Sequence, residues 1–268
     1  MTTSINGSGG VTYPDASTQA SSQVGMKNRI IDGGFTINQR GYVSGTSLSS
    51  GAYAHDRWKA GASGCTYTFT QGALGVNTTI TITAGSLIQV IEGCNLPEGG
   101  TYVLSWTGTA QARLNGGSYG NSGITITGWT AGTNLNVEFS TGTVGNVQLE
   151  KGSTATSFDY RPYGTELQLC QRYFWNNLAN QSGGYQDTSL VVIYVRNPVP
   201  MRTAPTVTAA ALTLDVVNLG APTIATPSIS NTGTTGYRIT GTSSSSSSVG
   251  VQVGIAPNSN ALASSAEL

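Results

Sequence analysis

The stretch from Val137 to Trp175, VEFSTGTVGNVQLEKGSTATSFDYRPYGTELQLCQRYFW, leaves this chain few ways to fold. Val137 and Phe139 alternate with Glu138 and Ser140, the period of a strand with one buried face. Thr141-Gly142-Thr143 turns the chain, and Val144, Val147 and Leu149 continue with small or polar residues between them. In SFDYRPYGTE, Pro162 bars helix around Arg161, because the proline ring clashes with a helical residue before it, and Gly164 then releases the chain. Thr165 is expected to start a helix running to Trp175, with Glu166 and Gln168 in its first turn. Leu167, Leu169, Cys170, Tyr173 and Phe174 give that helix two apolar faces at spacings of three and four. A β-domain closes, a Pro-Gly hinge follows, a helix docks and a second β-rich segment begins.

Composition agrees with the β reading. Only 9% of residues are charged, against roughly 25% in an average soluble domain, and glycine accounts for 36 of 268. Abundant Gly, Ser and Thr favour short strands and tight turns over helices. Twelve basic and twelve acidic residues cancel, and no basic stripe offers the electrostatic footprint of a nucleic-acid binder. So little charge exposes a soluble chain to self-association unless its surface is rich in hydroxyls or already used in an oligomer. No apolar run approaches the ~18 residues of a membrane-spanning helix, so no membrane insertion is expected. MTTSINGSGG has neither the basic nor the apolar region of a secretory signal, which predicts assembly in the cytoplasm.

Residues 1–25 are polar and nearly uncharged, an expected flexible leader or a tag ordered only against a partner; Val11, Tyr13 and Pro14-Asp15 are its one cluster with structural content. Over 26–163, strands recur at regular intervals. Ile30, Ile31 and Phe35 are expected in the first, with Gly33-Gly34 marking a bulge or a close backbone approach. CTYTFTQ alternates Tyr67 and Phe69 with threonines, TTITIT does the same with Ile80 and Ile82, and Tyr102, Leu104 and Trp106 share a face. Leu87 to Ile91, apolar but for Gln89, suits a strand covered on both faces. Such spacing predicts a β-sandwich. A linking helix over 164–175 and a smaller β-rich domain over 176–268 follow. In the latter LVVIYV is expected as a buried strand, ALTLDVV, GYRIT and VGVQVGI as further strands, and Ser243 to Ser248 as a hairpin-like loop of low complexity.

NVQLEKGSTATSFDYRPYGTELQLCQRYF resembles the joint found in tail-fibre and receptor-binding proteins of tailed bacteriophages. There a jelly roll similar to carbohydrate-binding modules ends in a VQLExGxxATxFExRPxxxEL segment followed by CQRYF or CQRYY. Gln148, Leu149, Glu150, Gly152, Ala155, Thr156, Phe158, Arg161, Pro162, Glu166, Leu167, Cys170, Gln171, Arg172 and Tyr173 stand in register with it. KNRIIDGGFTINQRG is similar to the first segment of that module, although Asp32 replaces the usual Asn, and residues 5–22 look like the tag that precedes it. The resemblance implies a jelly-roll sandwich in a virion protein of the tail fibre or tail tip. It further implies a homotrimer with the helix near its axis, and attachment to other tail proteins through the N-terminal segment. The expected ligand is host cell-surface polysaccharide or lipopolysaccharide. The alternative is a purely structural virion component, an adaptor or decoration protein.

No catalytic motif stands out, and the chain is expected not to be an enzyme. His55, the sole histidine, neighbours Asp56 without a GxSxG or HExxH; by the resemblance this AHDRW stretch is structural, with Asp56 and Arg57 paired over Trp58. The scattered acids show no glycosidase-like pair. Modules of the resembled kind often hold a structural Ca²⁺ with oxygen ligands, which directs attention to Asp32 and Glu150; a turn residue and a surface acid are the preferred reading, with no metal and no cofactor expected. Cys65, Cys94 and Cys170, without a CxxC, are expected as small buried side chains. Sugar recognition needs an aromatic face and small polar groups on a loop. NGGSYGNSG supplies Tyr119 among Asn115 and Asn121; Trp129 and Tyr42 are secondary candidates, and Trp129 suits the core equally well.

Overall fold

A computed structural model describes residues 4–6, 10–12, 18–19, 26–176, 181–209, 212–216, 221–255 and 262–268. The chain is all-β with one short helix, as expected. Three short strands lie within the N-terminal leader: Ser4–Asn6 pairs with Gly10–Thr12, which pairs with Thr18–Gln19. Tyr13 and Pro14-Asp15 lie outside the described residues.

The first large unit is a β-sandwich built by one strand that serves two branches. The first three residues of Ile80–Ile91 pair with Gly142–Lys151, and its last five pair with Leu135–Phe139, all antiparallel. The Gly142–Lys151 branch continues through Gly100–Thr107 to Ile124–Trp129, and the Leu135–Phe139 branch ends at Ala112–Leu114. A bulge loosens the partner strand Lys59–Phe69 where the two diverge. Gly85, at φ +71°, sits there, and a Cβ on it would meet the Gly64 carbonyl oxygen at 2.0 Å. Between the branches Trp106 meets Phe139 edge to face at 5.2 Å, and Tyr67, Ile80, Ile82, Tyr102 and Leu104 are buried as their alternation requires.

Two expectations in this unit are corrected. Residues 27–38 form no strand, although Ile30, Ile31, Phe35 and Ile37 are buried. Side chains replace the missing ladder. The Gln89 amide accepts from Ile31 N at 2.9 Å and donates to Ile31 O at 2.7 Å; Asn28 Nδ2 donates to Val147 O, and its Oδ1 accepts from Leu149 N. Gln89 is thus inward-facing, while Ile88 and Val90 are half-buried, so Leu87 to Ile91 alternates rather than being covered on both faces. Gly33 is a close approach, as expected: a Cβ there would lie 2.2 Å from Val147 O.

The helix spans Tyr163–Gln171, beginning directly after Pro162 and stopping before Phe174. Phe174–Trp175 is instead a strand that pairs with Leu262–Ser265, a distant partner that outcompetes continuation of the helix. Cys170 and Tyr173 pack on Ile31 and Ile37, with Leu167 and Leu169 half-buried beside them. Of the cysteines, Cys65 and Cys170 are buried, but Cys94 is exposed because it lies in a single helical turn after the Ile80–Ile91 strand.

Beyond the helix, seven antiparallel strands form one sheet in the order Thr223–Ile224, Leu212–Asp215, Gln252–Ile255, Ser182–Tyr185, Leu190–Arg196, Gly236–Thr242, Ser228–Gly233. Val191, Ile193 and Val195 point to a core shared with Leu212, Leu214, Ile239 and Trp175. The strand LVVIYV is therefore not buried throughout: Tyr194, on the other face, is 62% exposed. The serine run is not the hairpin-like loop expected: it connects Gly236–Thr242 to Gln252–Ile255, which are separated by two other strands in the sheet.

Candidate functional site

Antiparallel pairing of Ala112–Leu114 with Leu135–Phe139 sets Arg113 directly opposite Glu138. Both point outward, because Ala112, Leu114, Val137 and Phe139 take the core face. Arg113 Nε donates to Glu138 Oε2 at 2.8 Å, and its second nitrogen lies 2.7 Å from the same oxygen. The turn that follows uses Asn115 at φ +47°, a left-handed position that Asn tolerates through its short polar side chain. The chain then returns so that Tyr119 OH donates to Glu138 Oε1 at 3.2 Å, while the Arg113 guanidinium lies 4.7 Å from the centre of its ring. Burial and then the Glu138 charge push the Tyr119 phenol above its ordinary range, so it stays a neutral donor at physiological pH. Beside this trio lies a shallow depression of about 270 Å³ lined also by Ala62, Ser63, Gly85 and Ser86. An exposed aromatic, a cation–carboxylate pair joined through one oxygen and hydroxyls on a glycine floor can stack one sugar ring and bind its hydroxyls.

Asn115 and Asn121 stand on the same loop, both exposed; Asn121 Oδ1 accepts from Gln111 Nε2 at 3.5 Å. Trp129 and Tyr42 have other surroundings. Trp129 packs half-buried against the sandwich core, and its Nε1 donates to Thr133 O at 3.2 Å. The Tyr42 ring lies 4.7 Å from that of Tyr67 and 6.0 Å from that of Phe69, and its hydroxyl donates to Thr46 O. Both thus support packing, whereas Tyr119 stays exposed at the edge of the depression.

His55 is enclosed by Phe35, Tyr42, Tyr67 and Phe69, with its Nδ1 2.7 Å from Tyr67 OH. Burial lowers its pKa to about 4, which keeps the imidazole neutral. Asp56 and Arg57 do not pair with each other. Asp56 meets Arg40 at 3.1 Å and Arg57 meets Glu267, because the left-handed backbone at Arg57 sends the two side chains apart. Glu267 also holds Arg40 at 3.1 Å, so residues 40, 56, 57 and 267 form one buried charge cluster that ties residues 40–57 to residue 267. Burial, outweighing Arg40, raises Asp56 to about 7.

Asp32 and Glu150 have structural duties. Asp32 Oδ1 accepts from Thr36 N and Ile37 N, and burial holds its carboxyl well above the usual range. Glu150 accepts from Gln148 Nε2, Thr156 N and Thr156 Oγ1. Arg161 reaches Glu166 at 2.9 Å and donates to Ile30 O, while Glu166 accepts from Asp32 N. The motif over 148–166 is therefore a belt that fastens residues 28–32 onto the sandwich. Among the described residues, no group of three or more His, Cys, Asp or Glu side chains is placed to hold a metal ion.

Local sequence does not mark Tyr194, which sits inside the apolar run LVVIYV; its setting appears only with the register, which puts Ser182 opposite it on one side and Arg238 on the other. Comparison with protein-family models, with curated proteins and with solved structures found no match.

Proposed function

We propose that this chain is a non-enzymatic virion protein of a tailed-phage tail fibre or tail tip, and that it binds host cell-surface polysaccharide or lipopolysaccharide. The observation that carries the binding role is the Tyr119–Arg113–Glu138 trio at the edge of an open, hydroxyl-lined depression. The virion assignment rests on the 148–173 motif, whose side chains form the belt described above. In this reading the N-terminal segment attaches to other tail proteins, and three copies meet on the half-exposed side of the Tyr163–Gln171 helix.

Such a shallow site stacks one or two rings and binds weakly, because ordering of loop and sugar offsets much of the contact energy. Adhesion comes from many copies, where linkage raises avidity by roughly 10²–10⁴. The test is a host-glycan array probed with three proteins. Wild type should bind; Tyr119→Ala should lose binding with its melting temperature nearly unchanged. Trp106→Ala should lose about 3–5 kcal/mol of stability, since it empties a core aromatic site. Equal destabilisation by both variants would make Tyr119 a core residue. Absence of wild-type binding to any host glycan would favour the adaptor or decoration role. Light scattering at micromolar concentration should return three times the chain mass; a monomer would refute the trimer.

A further inference from the structure

We infer that the open face of the seven-stranded sheet, centred on Tyr194, is a second saccharide site, selective for sugars carrying a carboxylate or phosphate. The inference rests on the reading of the chain as a glycan-binding protein, but it names a different unit, a different residue set and a narrower ligand class.

Register defines the face. Tyr194 lies opposite Ser182 on one side and Arg238 on the other; Ser182 in turn faces Gly254, and Arg238 faces Ser230. One aromatic thus stands in a row of small or polar residues on the face turned away from Val191, Ile193 and Val195. The next row holds Gln252, Gly184, Val192 and Thr240. Tyr194 consequently forms a ridge between two shallow troughs. One, of about 620 Å³, is lined by Arg196, Asn197, Asn231, Thr235, Gly236 and Arg238 among others. The other, of about 430 Å³, has Ser182, Gly183, Gly184, Gln186 and Gln252 along it.

Two features have no account in folding alone. An aromatic 62% exposed at the centre of a sheet gains little from burial, and its cross-strand neighbour Ser182 gives it no packing partner. Gly254 is not imposed by the backbone either: a Cβ there would meet nothing nearer than 3.7 Å, whereas one on Gly183 would strike Val192 O at 2.0 Å. Glycine within a strand weakens it and marks places where another molecule approaches closely. An open floor beside an exposed ring is the shape that a pyranose fits, with its apolar face on the aromatic.

Charge selects the occupant. Arg196 and Arg238 line the larger trough, no Asp or Glu lines either one, and neither arginine forms an ion pair with a carboxylate among the described residues. The carboxylate in the same row, Asp215, is three strands from Tyr194, about 14 Å at the usual strand spacing. Arg238 is steadied by Ser230, to which its Nε donates at 3.2 Å. Asn197 adds a buried Oδ1 that has no hydrogen-bond partner. In a chain whose charges cancel overall, two unpaired guanidiniums beside one exposed ring fit an anionic sugar, since arginine matches carboxylate and phosphate oxygens through paired N–H groups.

The experiment titrates the full chain with four probes: an oligogalacturonide, sialyllactose, the deacylated phosphorylated core of a lipopolysaccharide, and neutral maltoheptaose. Wild type should bind at least one acidic probe, more weakly as salt rises, with carboxylate and phosphate sources separated by which probe responds. Tyr194→Ala and Arg238→Gln should each weaken that binding at least tenfold, and Tyr194→Trp should retain it. Acidic-probe binding that survives Tyr194→Ala and Arg238→Gln would overturn the inference. So would its loss in Tyr119→Ala alone, although glycan binding by the chain would then still stand. Binding of neutral glycans only, lost in Tyr119→Ala, would likewise keep the first site and remove the second. A drop in oligomeric mass on Tyr194→Ala would make this face a contact between copies and also overturn it.

Discussion

Glu267 holds two arginines of the buried charge cluster at once. It accepts from Arg40 at 3.1 Å and from Arg57, with side-chain exposures of 7% for Glu267, 15% for Arg40 and 1% for Arg57. At an effective dielectric near 20, one unit-charge pair at the Arg40 distance contributes about 5 kcal/mol of gross attraction. Desolvation of three ions offsets part of this, and removal of one partner from a buried pair typically costs about 3–5 kcal/mol. Both arginines keep other partners. Arg40 retains Asp56 and lies 3.6 Å from the Phe174 ring centre; Arg57 keeps the Val90 carbonyl and lies 3.7 Å from that of Tyr173. Glu267→Ala should therefore fall at the low end, about 3 kcal/mol. Glu267→Gln, which keeps an acceptor and loses the charge, should cost about 2 kcal/mol, near the value of a charged hydrogen bond. Urea unfolding followed by the four tryptophans measures this, and the effect should change little between 0.1 and 1 M salt because the cluster is shielded from solvent. A loss under about 1 kcal/mol for Glu267→Ala, or a strong salt dependence, would refute the description of a buried joint.

Two buried groups should oppose each other in the pH profile. The His55 pKa is lowered to about 4, so His55 adds stability that is complete above its unfolded value of 6.5 and is lost as pH falls towards 4, on the order of 3 kcal/mol. Asp56 is raised from 3.8 to about 7, so its contribution is complete at low pH and lost as pH rises over that interval, on the order of 4 kcal/mol. Asp32, also raised by burial, acts in the same direction as Asp56, so His55→Gln should decline more steeply than wild type in urea midpoint from pH 4 to 6.5; parallel profiles for the two proteins would contradict this. Gln89→Leu leaves the Ile31 N–H and C=O buried without partners and should cost about 2–5 kcal/mol, read from the same urea curves. A near-neutral result would mean that water reaches residues 28–32.

What could be read in the sequence was whatever local periodicity carries. Tyr67, Ile80, Ile82, Leu104 and Trp106 announce their strands because neighbouring residues alternate about the sheet plane. The helix itself was legible, but it begins at Tyr163, directly after Pro162, and not at Thr165. The failures are places where a distant partner decides. Ile30 to Ile37 has a strand's composition, yet its backbone is satisfied by the Gln89 and Arg161 side chains and by the Val147 N–H, partners that no neighbouring residue predicts. Phe174-Trp175 leaves the helix for residues 264–265, and Tyr194 in an apolar run is exposed because its neighbours across the sheet are Ser182 and Arg238. The Tyr119 loop was legible since its composition alone marks it as surface, whereas Arg113 and Glu138 entered only through cross-strand register. The same long-range pairing takes charge away from the surface. Among the described residues, four of the seven ion pairs, Arg40–Asp56, Arg40–Glu267, Arg57–Glu267 and Arg161–Glu166, have both partners no more than 15% exposed. Two of them, Arg40–Glu267 and Arg57–Glu267, fasten residues 40–57 to residue 267 instead of facing water. The surface is left to hydroxyls, amides and glycine, and against such a background even one cross-strand pair such as Arg113–Glu138, or two unpaired arginines beside Tyr194, sets the local field that a ligand meets.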